Sequence, residues 1–460
     1  MSEKIIKLTH RIVILIGKKK NDTEIMADLK RHLGMWGAAS IGIGAIIGAG
    51  IFVLSGVASG FAGPAVILSF LIAGLVAFLT ALSSAELSSF ITEAGGSYIY
   101  THKAFGKFWG FVVGWMQSFD YIVGASAISV GFAGYFIYFT GIPPFAQNVT
   151  IIVAVAMPLV LTLINLKGIK EASGTNNLLV GIKVTALSLF IIVGLFFLLS
   201  HGNFSNYYPF FPNGFAGMFS GTALIFFAFI GFNTITMIAE EVKDPEKNVP
   251  RSLILAFLIC TILYIGVSVV EVGLVDWKII GTSDAPLELA LSVATSNIFL
   301  LKFVSISALF ATASATMASI LGGSRAIFSM ARQRVIPGVL AKISKNGVPT
   351  NAVLISGAAI ALIIIVTKGD LQLIASIFNF GTLMTFFFIN MSLLQLRKKM
   401  PESNRTFKVP LYPVTPILGV ISCFALVFYL KMNAIIAAGV WIVLGVIAYE
   451  YNKRRETNAD

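Results

Sequence analysis

Apolar residues in this 460-residue chain come in long unbroken runs rather than in the 3.6- or two-residue stripes of a water-soluble fold. A bilayer core needs about 20 apolar residues per helix. Twelve runs meet that length, near 35–60, 63–91, 108–140, 149–166, 177–200, 214–240, 251–274, 297–330, 351–367, 372–396, 413–430 and 433–451. Runs this long leave no room for the in–out alternation of a membrane β-barrel. The pattern therefore predicts an all-α polytopic membrane protein with twelve transmembrane helices. The polar segments between the runs are too short to form a separate soluble domain.

Composition agrees. Hydrophobic residues make up 57% of the chain and charged residues 12%, against about 45–50% and about 25% in a soluble domain. The net charge of +12 would suggest a nucleic-acid partner, but no basic patch interleaves with aromatics on a polar face, so none is expected. The charge follows the positive-inside rule instead. With the N-terminus placed in the cytoplasm, 28 of the 33 Lys and Arg fall inside and only Lys278, Lys302, Lys368 and Lys431 fall outside, with Lys183 left within span 5. The expectation is a multi-pass protein of the cell membrane with both termini cytoplasmic.

Spans 1 and 6 are interrupted. Span 1 carries Gly42, Gly44, Gly48 and Gly50 within nine residues, and span 6 carries Phe226-Phe227-Ala228-Phe229-Ile230-Gly231-Phe232-Asn233. Glycine costs a helix about 1 kcal/mol relative to alanine, so span 1 is poised to unwind there. Close helix packing explains the glycines alone equally well. The spacing adds weight to unwinding: five spans separate the two, and five is odd. Spans 1–5 and 6–10 then form an inverted repeat, and paired interruptions at corresponding places are the sequence pointer to a transporter's binding site. Backbone groups freed at mid-membrane must face a cavity or ligand. Freed amides attract an anion and freed carbonyls a cation. That pair suits the carboxylate and ammonium of a free amino acid.

At these residues the sequence resembles the amino acid–polyamine–organocation transporter superfamily, most of all the prokaryotic relatives of the cationic amino acid transporters. The likeness covers about residues 30–400. It rests on Gly48-Ala49-Gly50-Ile51-Phe52 and on Ala85-Glu86-Leu87 followed by Ala94-Gly95-Gly96-Ser97-Tyr98-Ile99-Tyr100. It continues through Phe227–Phe232, Glu240-Glu241-Val242-Lys243-Asp244-Pro245 with Pro250-Arg251, and Met330-Ala331-Arg332 with Pro337. The resemblance implies that amides near Ala49 and Gly50 hold the substrate carboxylate. It implies likewise that carbonyls of Ile46 and Ile230 hold the ammonium, and that Phe227 is an aromatic gate. Asn233 stands where the family often has an acid, which weakens carboxylate gating at that position.

Lys183 is the ionisable group of most interest. Such a residue inside a span costs about 2.5–3.5 kcal/mol on insertion scales and marks function by default; the alternative is snorkelling to the interface. The resemblance favours function, because some relatives carry a lysine here that is thought to replace a bound sodium ion. Desolvation disfavours a charged amine, so Lys183 could release and regain a proton, giving proton coupling without sodium. Asp120 could pair with a lysine or contact substrate, and Glu86 could tie span 2 to the basic loops or act as a gate. Thr312, Ser314, Thr316 and Ser319 could line the cavity or simply bond back to their own helix. Glu271 reads as a boundary residue.

Cys260 and Cys423 lie in apolar runs, and His10, His32, His102 and His201 have no metal-ligand spacing. No P-loop pattern appears. No cofactor and no enzymatic activity are expected. The organisation expected is an arm over 1–34, repeats over 35–200 and 201–400, helices 11 and 12 over 401–451 and a tail over 452–460. The function expected is a secondary amino acid transporter working by alternating access, proton-coupled and for neutral substrates. Alternatives are a polyamine or cationic amino acid carrier or exchanger, which needs a cavity acid such as Asp120, and a non-transporting sensor, which would be expected to carry a soluble output domain.

Overall fold

A computed structural model describes residues 33–91, 96–142, 147–166, 173–202, 204–332, 336–344 and 348–457. The arm up to residue 32, Ala94 and Gly95 of the second motif, and the loop cations Lys167, Lys170, Arg334 and Lys345 lie outside these residues. Within them the chain is helical, and the one β-type contact is an isolated bridge between Leu33 and Val242.

Nine helices among the described residues are long and apolar enough to cross a membrane, and two shorter apolar ones, Thr350–Val366 and Val414–Val427, stand at spans 9 and 11. The first of the nine, Met35–Phe90, is 56 residues long. At about 1.5 Å per residue that is more than twice the core thickness, and it makes two passes. Gly63 (φ 63°) turns the chain between them. Gly231 packs on Ala45 and Gly74 on Phe229, so the segments either side of Gly63 return to one depth. The other spans are 3 (Lys107–Thr140), 4 (Gln147–Leu166), 5 (Ser173–His201), 6 (Gly214–Met237), 7 (Pro245–Leu274), 8 (Ile298–Arg332), 10 (Leu371–Lys399) and 12 (Met432–Thr457). The twelve expected crossings are all accounted for.

The packing of the spans reveals the repeat. Spans 1 and 6, 2 and 7, 3 and 8, and 4 and 9 each pack against one another. Contact of span 1 with 7 is matched by 6 with 2, that of 3 with 10 by 8 with 5, and that of 1 with 5 by 6 with 10. Exchanging every span for the one five further on thus maps these packings onto themselves, as a pseudo-two-fold axis in the membrane plane requires. Spans 11 and 12 pack outside this set, both on span 10.

The core is built from small and back-bonded residues. Ser126, Ser129, Thr162, Thr222 and Ser356 each donate to the carbonyl four residues earlier, which satisfies the hydroxyl where no water reaches. Asn390 of span 10 is fully occupied: it donates to Thr80 Oγ1 and Phe386 O and accepts from Ser83. Large apolar side chains such as Met432, Ile436, Val440, Val443 and Ile447 line one exposed stripe of span 12, the face for lipid.

The centre depends on glycine at two positions. A Cβ at Gly50 would run into the backbone of Ala228, and one at Gly231 into the backbone of Ala45 and Ile46. The contacts run antiparallel, so the two spans cross at their interruptions. Gly231→Ala is therefore expected to lower the melting temperature of the purified protein, with a loss of about 1–3 kcal/mol, the usual size for overpacking. Gly181→Ala, inside a helix and with open space around its Cβ position, should not lower it and is expected to raise it slightly.

Candidate functional site

Four glycines make span 1 the weaker of the central pair. Its α-helix ends at Ile46, Ile47 is extended (φ −76°, ψ 91°), and winding resumes as a π-helix at Gly50–Leu54 before regular turns at Ser55–Ala62. Span 6 has one glycine in its interruption, Gly231, and does not open there. It tightens into a 3₁₀-helix over Phe226–Phe232 between α-helical ends Gly214–Ile225 and Asn233–Met237. Two interrupted helices were expected, the second with the shorter break; one break is open and its counterpart is overwound.

Winding that departs from the α pattern strands carbonyls, and other spans supply their donors. Lys183 Nζ donates to Gly44 O at 3.0 Å. The lysine is 3% exposed and points into the bundle, so it does not snorkel. The Tyr264 hydroxyl lies 2.8 Å from Ile46 O and 3.2 Å from Ala228 O, spanning both interruptions. Tyr135 donates to Phe52 O at 2.6 Å. Asn379 Nδ2 donates to Ala223 O and Leu224 O at 2.8 and 2.9 Å. Sequence reasoning missed Tyr135, Tyr264 and Asn379. Their signal is a hydrogen-bonding side chain in mid-run without formal charge, which a search for ionisable groups passes over.

The walls are apolar. The Phe227 ring lies 4.5 Å from that of Phe378 in span 10, another residue not foreseen. Gly48 faces Ala315 of span 8. Access is one-sided: residues 46–56 and 221–229 are buried without a gap, whereas Ser40, Ile41, Gly44, Ala45, Ile230, Gly231, Asn233 and Thr234 keep partial exposure. These partly exposed residues lie on the side of the Leu33–Val242 bridge. At the opposite end a crevice of about 160 Å³ is lined by Phe61, Ser220, Gln372, Tyr429 and Lys431 and includes none of the break residues.

The other candidates divide. Thr312 and Ser314 bond back to carbonyls of their own helix, at Ala308 and Ala311. Asp120 has no lysine partner among the described residues; its Oδ2 accepts from Thr382 at 3.4 Å and its Oδ1 lies against Gly381. Glu86 is an anchor. Arg397 Nε and Nη2 donate to its two oxygens at 2.6 Å each, the Val409 amide donates at 2.7 Å, and Arg405 Nε lies 3.3 Å away. Glu271 is no boundary residue. It is fully buried, because the short helix Pro286–Ala294 packs over the end of span 7 and onto the π-helical stretch of span 1.

Residues 33–448 match the family described as amino acid permease. The chain belongs to the amino acid permease family. It is 34% identical to the branched-chain amino acid permease BcaP of Bacillus subtilis, over 96% of this chain and 98% of that protein. It is 33% identical to the methylthioribose transporter of the same organism, over 93% and 95%, and 33% identical to the vacuolar cationic amino acid transporter 2 of Arabidopsis thaliana, over 82% and 61%. This permease is thus a multi-pass membrane transporter of amino acids and not an enzyme, as the sequence implied.

In a permease the geometry at span 1 has a direct chemical use. The helix that begins at Gly50 aims its unpaired amides at the break, and the helix that ends at Ile46 aims its carbonyls there from the other side. Opposite partial charges then meet in one small volume without any side-chain charge. Over the end away from the Leu33–Val242 bridge, burial pushes the Glu288 carboxyl up from 4.5 to about 7, with Lys302 pulling it down. The folded state therefore holds this proton more tightly than the unfolded state. The contribution is fully present below pH 4.5 and is lost as pH rises to about 7. Melting curves should show Glu288→Gln gaining stability relative to wild type across that window, with no relative change below it.

Proposed function

We propose that this permease carries a neutral amino acid across the cell membrane by alternating access, with both termini in the cytoplasm and with a proton coupled through Lys183. The observation that supports it is the pair of interruptions pressed together at mid-chain depth, sealed on one side and partly exposed on the other. The repeats over 35–200 and 201–400 supply the two bodies that move, helices 11 and 12 over 401–451 flank them, and the arm over 1–34 and the tail over 452–460 lie in the cytoplasm.

In this reading the amides of Gly48, Ala49 and Gly50 receive the carboxylate, and the carbonyls of Ile46 and Ile230 receive the ammonium. Tyr264 already holds Ile46 O, but a carbonyl has two lone pairs, so one remains for the substrate. Phe227 and Phe378 close over the side chain. The names of the relatives span branched-chain and cationic amino acids and methylthioribose, so the wall has to decide the cargo. Phe227, Phe378, Ala315 and Ile230 offer an aliphatic side chain apolar contact and offer a second cation nothing.

Lys183 supplies the coupling. Protonated, its ammonium holds Gly44 O and pins the inner half of span 1 to span 5. Deprotonated, it loses the charge assistance in that bond, which frees the half-helix to move. Uptake of labelled amino acids into proteoliposomes tests both parts. Leucine, isoleucine and valine should be taken up in preference to lysine and arginine, and an inward proton gradient should stimulate uptake without sodium. Lys183→Ala should remove the stimulation; full gradient dependence in that variant, or preferred uptake of lysine, would overturn the corresponding half of the proposal.

A further inference from the structure

Glu271 has no part in the reading above, and its surroundings are unusual. The side chain is 0% exposed, and neither carboxylate oxygen has a hydrogen-bond partner among the described residues. The Ser55 hydroxyl of span 1, also fully buried and without a partner, lies beside it. Both sit where the π-helical stretch of span 1 gives way to its outer turns. The Pro286–Ala294 helix covers that place: a Cβ at Gly56 would come within 2.8 Å of Pro286, and one at Gly134 of span 3 within 2.6 Å of Asp284 O.

Other charged and titratable groups surround that place, among them Asp284 against Gly134 and Tyr138 near Glu288. Tyr135 approaches from span 3 with its hydroxyl committed to Phe52 O. Tyr207, before span 6, is committed to Val269 O at 2.8 Å. Glu288 of the covering helix presents a further unpartnered carboxylate oxygen. Asp276 accepts from the Lys278 amide at 2.7 Å, and the Lys278 ammonium lies over the Trp277 ring. Lys302 of span 8 donates to Phe139 O at 2.6 Å and lies over its ring. His201 at the end of span 5 is exposed and stacked on Phe197. No cation among the described residues forms an ion pair with Glu271.

An ionised carboxylate in such a place costs more than its surroundings can return. A carboxylic acid fits: its O–H donates to Ser55 Oγ, and two orphaned groups satisfy each other. We propose that Glu271 is a proton-binding site, occupied while the outer halves of spans 1 and 6 are shut. When Pro286–Ala294 lifts, the O–H bond breaks, the proton passes to water and the carboxylate is hydrated; closure reverses the step. This rests on the alternating-access reading and places a second proton-carrying group on the far side of the breaks from Lys183.

Infrared difference spectra of the purified full-length protein between acidic and alkaline buffer test the site without substrate, so the outcome does not depend on transport. A carboxylic-acid C=O band should appear in wild type and in Lys183→Ala, lose one carboxyl's share of its intensity in Glu271→Gln, and shift in part in Ser55→Ala. A band of equal intensity in Glu271→Gln would overturn the proposal. So would its loss from wild type when sodium replaces potassium at constant pH, which would mark a metal-cation site. In proteoliposomes Glu271→Gln should lose part of the gradient stimulation; stimulation equal to wild type would overturn the exchange with water.

Discussion

Everything in this bundle depends on keeping main-chain carbonyls bonded where lipid offers no donor. An unsatisfied backbone group in a bilayer core costs several kcal/mol, so a helix can be interrupted there only if other side chains reach in. Four do so. Lys183, Tyr264, Tyr135 and Asn379 come from spans 5, 7, 3 and 10 and close on Gly44, Ile46 with Ala228, Phe52, and Ala223 with Leu224. The scaffold spans are therefore the reason the broken spans can exist. A substrate that binds at the break competes with, or adds to, bonds that are already made.

The repeat explains why two interruptions meet. A pseudo-two-fold axis carries span 1 onto span 6, so a weak point at one depth in span 1 implies a counterpart at the same depth in span 6. Their glycines then let the two backbones touch, Gly50 on Ala228 and Gly231 on Ala45. The symmetry is one of packing, and the sequences have diverged within it. Span 1 has opened and span 6 has tightened, which leaves most of the free amides on one side of the contact. An amphoteric ligand needs that inequality, with amides and carbonyls pointing to different ends of it.

The two ends of the molecule are held by different physics. On the side of the Leu33–Val242 bridge, Glu86 gathers Arg397, Arg405 and the Val409 amide, a fully satisfied buried charge that fixes span 2 to the end of span 10. Among the described residues, span 1 is attached at its start by the backbone bonds of Leu33 to Glu241 and Lys243, by Ser252 on Met35 O and by Ser40 on Asn177 Oδ1. At the other end no comparable ion-pair network occurs among the described residues. There a short helix lies over small residues, Gly56 and Gly134, and over the carboxyl of Glu271. Ordered ion pairs make a rigid base, and an apolar cover over an orphaned acid makes a removable one.

Length and hydropathy decided the twelve crossings, and the excess of Lys and Arg in alternate loops predicted their sense. Clustering of glycine decided where the helices would fail, because propensity is local: four glycines within nine residues open span 1, and the single glycine of residues 226–233 only overwinds span 6. What no local property could supply was the donor for each stranded carbonyl. Lys183 meets Gly44 across 139 residues of chain and Tyr264 meets Ile46 across 218, and such pairs exist only once the helices have packed. The same holds for Thr312 and Ser314, whose hydroxyls chose their own helix over the cavity. It holds also for Glu271, placed at the edge of its span by position and buried outright by a helix that begins fifteen residues later. Sequence sets which backbone groups come loose; packing sets what they find, because a hydrogen bond is a matter of distance in space and not along the chain.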